Sequence, residues 1–162
     1  MKPHVHASTT KDSTDVSTHE AQMLQKTQRS LPIALLRARE TLMSRFRPLL
    51  AAQNVTEQQW RVLRVLYEAG PLDATQISDS CCILAPSLTR IFRNLEQRAL
   101  ITRKKDAADA RKLVLAITPR GKALIQVVTP ESKKIYQALE SEFGTERIEK
   151  LLDTLEDLSN LE

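Results

Sequence analysis

The apolar residues of this chain keep a helical period almost everywhere and change to a two-residue period at one place. In Leu113, Leu115 and Ile117 every second residue is apolar, which is typical of a strand with one buried face. Ile101–Lys105 is the expected partner strand, and residues 106–110 are the expected connecting loop. One hairpin in an otherwise helical chain predicts a mainly α fold of class α+β.

Helices are predicted on both sides of this hairpin, because apolar residues recur there at steps of three or four. Thr56, with Gln59 three residues later, is a capping-box pattern, and Pro86 suits the first turn of a helix. Only three of the 162 residues are Gly, which argues against a fold rich in turns. The predicted helices lie at 30–52, 56–69, a short segment that Asp73 starts, 86–98, 119–143 and a last segment that Thr145 caps.

A short helix, a turn and a second helix followed at once by a basic hairpin predict a winged helix-turn-helix at residues 56–118. The segments 30–55 and 119–162 are long and amphipathic, and one chain has too little left to cover their apolar faces. They are therefore expected to be dimerisation helices of a two-fold homodimer. These parts together form one expected domain at 30–162.

Residues 1–29 are polar and are expected to form a disordered tail. His4 and His6 lie in it, but two His without other ligands are a weak metal signal, and no metal or cofactor is predicted. The sequence has no apolar run of 18 residues and no apolar signal segment, which favours a cytoplasmic protein with no membrane partner.

The net charge of +4 is concentrated in two segments. Residues 86–98 carry +2 and residues 103–112 carry +3, so the rest of the chain sums to −1. A near-neutral body with one basic region is expected for a protein that binds a polyanion, although a basic region can also be a solvated surface.

The helix at 86–98 and the hairpin hold the candidate DNA contacts. Arg and Asn side chains can each make two hydrogen bonds to a base edge, and the position directly before a basic hairpin favours a recognition helix over a merely polar surface. The candidates on the helix are Ser87, Thr89, Arg90, Arg93 and Asn94, and those on the hairpin are Arg103, Lys105, Asp109 and Arg111.

Near the tip of the hairpin, Arg111 suits the narrow minor groove, where negative potential is concentrated. Asp109 would repel phosphate, so we expect it to pair with Arg111 and orient the guanidinium. An exposed ion pair worth about 0–1 kcal/mol is the alternative interpretation.

The hairpin and the residues after it also carry a family resemblance. This part of the chain resembles the wing signature of MarR-type regulators at Asp109, Arg111, Leu113, Leu115, Ile117 and residues 118–121. The likeness covers about residues 31–161. The stretches 33–40, 54–61 and 83–89 are similar to a narrower branch, the regulators of homoprotocatechuate and related aromatic-acid catabolism. Ala99 stands where the family usually has Gly, and Ala85 where the branch often has Arg.

The resemblance implies a dimer that binds double-stranded DNA at a pseudo-palindromic operator. It further implies repression of an aromatic-compound catabolic operon and release of the DNA by a small aromatic carboxylate. The family's ligand pocket lies between the dimer helices and the DNA-binding part, although a Trp there is often simply core and an Arg often surface. The residues on the elements that would line it are Arg37, Arg39, Met43, Ser44, Trp60 and Arg61.

A ligand-controlled regulator competes with three other function classes: an enzyme, a thiol-based redox regulator, and a dimerisation module that has lost DNA binding, against which the basic helix and hairpin argue. No catalytic residues are predicted, because all three His lie in the tail and no phosphate-binding Gly loop is present. The alternative function is a thiol-based redox-sensing regulator that uses Cys81 or Cys82, although a free Cys is more often a small core residue.

Overall fold

The structure, a computed structural model, describes residues 30–106, 109 and 111–161. The expected tail with His4 and His6, and loop residues 107, 108 and 110, lie outside the described residues. The described part confirms the mainly α fold with one hairpin. Its elements are α1 Leu31–Ala52, α2 Glu57–Ala69, α3 Ala74–Cys81, α4 Ala85–Gln97, β1 Ile101–Lys105, β2 Leu113–Ile117, α5 Pro119–Phe143 and α6 Thr145–Ser159.

Proximity between Cα atoms divides the chain into two compact units, residues 1–43 and 44–162, with the boundary inside α1. The described residues of the first unit form the N-terminal part of α1, where Leu35, Leu36 and Leu42 are exposed. The second unit holds the end of α1 and all the other elements. It contains every residue predicted for the winged helix-turn-helix.

The core of the second unit joins α2, α3 and α4 to the hairpin and to α5. Leu63, Leu66 and Ile77 are completely buried, and Leu115 and Ile125 close the cluster from the hairpin and α5. Burying an aliphatic side chain of this size stabilises a fold by about 1.5–3 kcal/mol. In α4 the buried residues lie at the three- and four-residue spacing of one helix face, and they are Leu88, Ile91, Phe92 and Leu95.

Three helix starts follow local capping rules. Thr56 Oγ1 accepts from the backbone N–H of Gln59 at 3.2 Å, which confirms the predicted capping box of α2. Asp73 starts α3 in the same way, and Thr118 Oγ1 caps α5 by accepting from the N–H of Gly121 at 3.1 Å. The predicted cap at Thr145 is wrong, because Gly144 occupies the cap position and Thr145 is the first helical residue.

The hairpin is antiparallel, with Ile101 opposite Ile117 and Lys105 opposite Leu113. Its turn is longer than predicted, because Lys112 still belongs to it and accepts through its carbonyl oxygen from the N–H of Asp106 at 2.9 Å. Leu72 pairs with Leu115 of β2 through two backbone hydrogen bonds of 2.8 and 3.1 Å. The segment between α2 and α3 is thereby fastened to the hairpin.

The last helix keeps an apolar face that its own chain does not bury. No residue of α6 is buried, and Leu151 and Leu152 have 45% and 54% of their surface exposed. Leu152 stays exposed because no element within the described residues covers it. Among the described residues, no helix is long and apolar enough to cross a membrane.

Three helices end in left-handed turns built on residues other than glycine. Asn54 after α1, Cys82 after α3 and Ala99 after α4 have φ values of 54°, 49° and 55°. In the turn after α4, the N–H of Leu100 donates to the carbonyl of Leu95 at 2.9 Å, and that of Ala99 to Glu96 at 2.8 Å. These two bonds make a Schellman motif, whose left-handed position glycine occupies at least cost.

Ala99→Gly is expected to stabilise the protein by about 0.5–1 kcal/mol. Glycine removes the clash between Cβ and backbone at positive φ, which exceeds the entropy glycine adds to the unfolded chain. Urea unfolding at one fixed protein concentration measures the change. Ala138→Gly, in the exposed interior of α5, is the matched control and should destabilise by about 1 kcal/mol. Equal destabilisation by both variants would contradict the argument.

Candidate nucleic-acid interface

Helix α4 has one buried face and one polar face. Thr89, Arg90, Arg93 and Asn94 are exposed, and Ser87 is half-buried. Within residues 30–106, 109 and 111–161, neither Arg90 nor Arg93 has an ion-pair partner. The helix therefore presents uncompensated positive charge beside hydrogen-bonding groups.

The turn before α4 is held by side chains of its neighbours. Ser78 Oγ donates to the carbonyl of Ile83 at 2.7 Å, and Arg61 Nη1 donates to the carbonyl of Cys81 at 2.7 Å. Arg61 therefore satisfies a carbonyl at the end of α3, where helices leave such groups without partners. Pro86 lies in the first turn of α4, as predicted. These contacts fix the angle between α3 and α4.

The hairpin is attached to α4 by an ion pair. Arg103 Nε donates to Glu96 Oε1 at 2.8 Å, so this predicted DNA contact already has a partner on α4. Lys105, at the end of β1, is exposed. At the other end of the hairpin, Thr118 Oγ1 donates to the carbonyl of Ala99 at 2.7 Å. The hairpin is thus bound to α4 from the middle of β1, and to the turn after α4 at its base.

The turn of the hairpin holds Arg111 in the predicted pair with Asp109. One carboxylate oxygen of Asp109 accepts from the backbone N–H of Arg111 at 3.0 Å and from its Nε at 3.3 Å. The N–H of Asp109 donates to Asp106 Oδ1 at 2.8 Å. The Arg111 side chain is 93% exposed. It therefore projects into solvent with its base fixed by Asp109.

Gln59 contributes a contact that sequence reasoning missed. Its Nε2 donates to Asn94 Oδ1 at 2.8 Å, across 35 residues of sequence. The sequence identified Gln59 only as a capping residue of α2. Because the contact joins two helices, no local pattern reports it.

The predicted ligand residues fall into both units. Arg37, Arg39 and Met43 belong to the first unit, where the two arginines are exposed and Met43 is half-buried. In the second unit Ser44 is exposed, and Trp60 and Arg61 are half-buried on α2.

Arg64 is a second residue that sequence reasoning missed. Its guanidinium carbon lies 6.0 Å from the centroid of the Trp60 ring, and its Nε donates to Glu68 Oε1 at 2.8 Å. A cation at this distance is attracted by the ring face. The spacing of four residues between Trp60 and Arg64, and again between Arg64 and Glu68, was the available signal.

The two cysteines have different surroundings. Cys81 is buried and Cys82 is exposed. Burial raises the pKa of the Cys81 thiol, although the nearby Arg61 opposes the shift. A raised pKa lowers the fraction of reactive thiolate. Across the described part of the chain, no group of three or more His, Cys, Asp or Glu is placed to hold a metal ion.

Known proteins resemble this chain over most of its length. The model of the MarR family matches residues 55–113. The HTH-type transcriptional regulator FarR of Neisseria gonorrhoeae is 41% identical over 82% of this chain and 91% of its own length. The homoprotocatechuate degradative operon repressor of Escherichia coli is also 41% identical, over 79% of this chain and 86% of its own.

Two solved structures have the same fold. NadR in complex with 4-hydroxyphenylacetate is 39% identical, has a TM-score of 0.73 and covers 80% of this chain and 95% of its own. The transcriptional repressor CouR, bound to a 23-mer DNA duplex, is 27% identical with a TM-score of 0.72, and covers 82% of this chain and 94% of its own. The names of FarR, the operon repressor and CouR describe transcriptional regulators, and none of the four names favours the redox alternative.

Proposed function

The chain belongs to the MarR family of winged-helix transcriptional regulators, and from this we propose that it represses an operon for the breakdown of an aromatic compound and leaves its DNA when a small aromatic carboxylate binds. Members of the family bind DNA as dimers. The uncovered apolar face of α6 suits such an assembly. We expect the protein to act in the cytoplasm and to catalyse no reaction.

In the proposed complex, α4 lies in the major groove and the turn of the hairpin reaches the adjacent minor groove. The residues that face the major groove are Ser87, Thr89, Arg90, Arg93 and Asn94. Lys105 faces the DNA backbone, and Arg111 faces the minor groove. Asp109 orients Arg111, and Arg103 braces the hairpin through Glu96. The exposed, uncompensated charge of α4 supports this assignment.

The proposed effector site is centred on Trp60 and Arg64. Among the relatives, one represses the homoprotocatechuate operon by its name, and another was solved with 4-hydroxyphenylacetate. The observation that carries the proposal to this chain is the guanidinium of Arg64 over the Trp60 ring, both half-buried. An aromatic carboxylate has a ring that packs on an indole and a charge that pairs with a guanidinium.

Arg64 retains donors for such a ligand. A guanidinium has five N–H donors, and Glu68 engages Arg64 through Nε and Nη2 only. Arg61 also has unused donors, but its guanidinium is held at the Cys81 carbonyl, and it is Arg64 that lies over the Trp60 ring, so Arg61 is the weaker candidate. For Arg37, Arg39, Met43 and Ser44, ligand binding stays a prediction from the sequence.

Effector binding would act on the spacing of the two recognition helices in the dimer. That spacing must match about one turn of DNA, roughly 34–36 Å. A ligand that binds more tightly to a dimer with another spacing weakens DNA binding. The loss of binding free energy cannot exceed the difference between the ligand's binding free energies for the two states.

We expect 4-hydroxyphenylacetate to raise the Tm of the wild-type protein and to release it from its operator. The operator for this assay is a DNA duplex that the wild-type protein selects from a random pool. In Arg64→Ala the concentration needed for release should rise at least tenfold, because a charge-assisted pair is lost. Fluorescence anisotropy of labelled operator measures release, and thermal shift measures binding.

The controls separate the carboxylate from the ring and the ligand from oxidation. 4-Methylphenol, which has the ring without the carboxylate, should release no DNA, and Arg61→Ala should lower Tm while keeping the response. Peroxide should leave the operator bound in the wild type and in Cys82→Ser. Release by peroxide together with no response to the aromatic acid would replace this proposal with the Cys81/Cys82 redox regulator.

A further inference from the structure

The capping box at the start of α2 fixes the orientation of an amide on the recognition helix. The backbone N–H of Thr56 donates to Gln59 Oε1 at 3.0 Å, and Gln59 Nε2 donates to Asn94 Oδ1 at 2.8 Å. A backbone N–H can only donate, so the oxygen of Gln59 must face Thr56 and its nitrogen must face Asn94. Asn94 is thereby required to present its oxygen to Gln59.

This orientation limits what Asn94 can offer to DNA. An Asn reads adenine by using its amide oxygen and nitrogen together against N6 and N7. The oxygen of Asn94 already accepts from Gln59 through one of its two lone pairs, so Gln59 sets the direction of the amide and the two Nδ2 hydrogens stay free to donate. Free donors suit phosphate oxygens, which accept most protein–DNA hydrogen bonds.

We propose that Gln59 is a positioning residue that turns the Asn94 amide toward a DNA phosphate, so that Asn94 anchors the recognition helix and does not read a base. The inference rests on the proposed role of α4. It differs from the expectation that Asn94 makes paired hydrogen bonds to a base edge. Base reading on this face then falls to Arg90 and Arg93.

Asn94→Ala is expected to lower affinity by about tenfold to a hundredfold for the operator and for every single-base-pair variant of it alike, because one hydrogen bond to a charged group is lost. The slope of log affinity against log salt should not change, since a neutral amide displaces no counterion. Arg90→Ala or Arg93→Ala should instead reduce discrimination at one base pair. Loss of discrimination at one position in Asn94→Ala would overturn the proposal.

Gln59→Glu tests the positioning role directly. Glu keeps an oxygen for the N–H of Thr56 but offers a second oxygen to Asn94, whose amide must then turn its own oxygen toward the phosphate. Gln58→Glu adds the same charge at the exposed neighbouring residue and is the matched control. We expect Gln59→Glu to weaken operator binding at least threefold more than Gln58→Glu does, with equal Tm values.

The additional loss of operator affinity in Gln59→Glu must disappear when Asn94 is replaced by Ala. In an Asn94→Ala background, Gln59→Glu and Gln58→Glu should weaken binding by the same factor, and an excess that persists there would contradict the proposal. If Arg90→Ala and Arg93→Ala weaken binding while Asn94→Ala does not, this inference alone is wrong. If all three leave the affinity unchanged, α4 does not enter the groove and the proposed interface itself is wrong.

Discussion

Arg111→Ala is expected to lower operator affinity by about tenfold to a hundredfold while the fold and the dimer stay intact. The Arg111 side chain is 93% exposed and packs on little of its own chain, so its removal should cost DNA contacts and almost no stability. A lost hydrogen-bonded contact to a charged group costs about 1.5–3 kcal/mol. The salt slope should also fall by about one, since one positive charge leaves the minor groove and one fewer counterion is released.

The pair with Asp109 gives this prediction a graded control. Asp109→Asn removes the carboxylate charge while keeping an oxygen for the N–H of Arg111. It should therefore loosen the guanidinium and cost less affinity than Arg111→Ala. Lys112→Ala removes a neighbouring exposed charge and should lower operator affinity mainly at low salt concentration. Equal affinity of Arg111→Ala and wild type in an anisotropy titration would remove the hairpin from the DNA interface.

Gly121→Ala is expected to destabilise the protein by about 3 kcal/mol, and Gly121→Val is expected not to fold. A Cβ at position 121 would overlap the carbonyl oxygen of Leu100 and lie 2.6 Å from Ile117 Cγ1. The first of these atoms is backbone at the base of the hairpin and cannot turn aside. Overpacking of a buried site usually costs about 1–3 kcal/mol, and a rigid backbone neighbour places this site at the upper end.

Gly70→Ala is the comparison that isolates the cause. Gly70 has a φ of +83°, but nothing lies within 4 Å of the position its Cβ would take. Its substitution should therefore cost only the strain of alanine in a backbone conformation that essentially only glycine adopts, about 1–3 kcal/mol. Chemical unfolding of both variants measures the difference. A smaller loss in Gly121→Ala than in Gly70→Ala would contradict the close approach of α5 to Leu100.

The features that the sequence predicted correctly depend on residues close together in the chain. The buried face of α4 follows from its three- and four-residue spacing, and the capping box of α2 follows from two residues in one turn. The Asp109–Arg111 pair is equally local. Patterns of this kind are readable because the period of a helix or turn places the side chains without knowledge of the rest of the fold.

The features that sequence reasoning missed join distant parts of the chain. The pairing of Leu72 with β2 and the hydrogen bond from Gln59 to Asn94 connect elements whose approach is decided by packing. The bond of Arg61 to the Cys81 carbonyl also joins distant residues and is not visible in the sequence. Arg64 had a usable signal in its spacing from Trp60.

The left-handed turns after α1, α3 and α4 make these three joints stiff. Asn54, Cys82 and Ala99 have far less backbone freedom than glycine, so the joints resist bending and the helices on either side keep their angles. A DNA-binding unit with such turns passes the displacement of one helix on to the next. Substituting glycine at all three positions should let the turns bend, so that the effector still binds but moves α4 less.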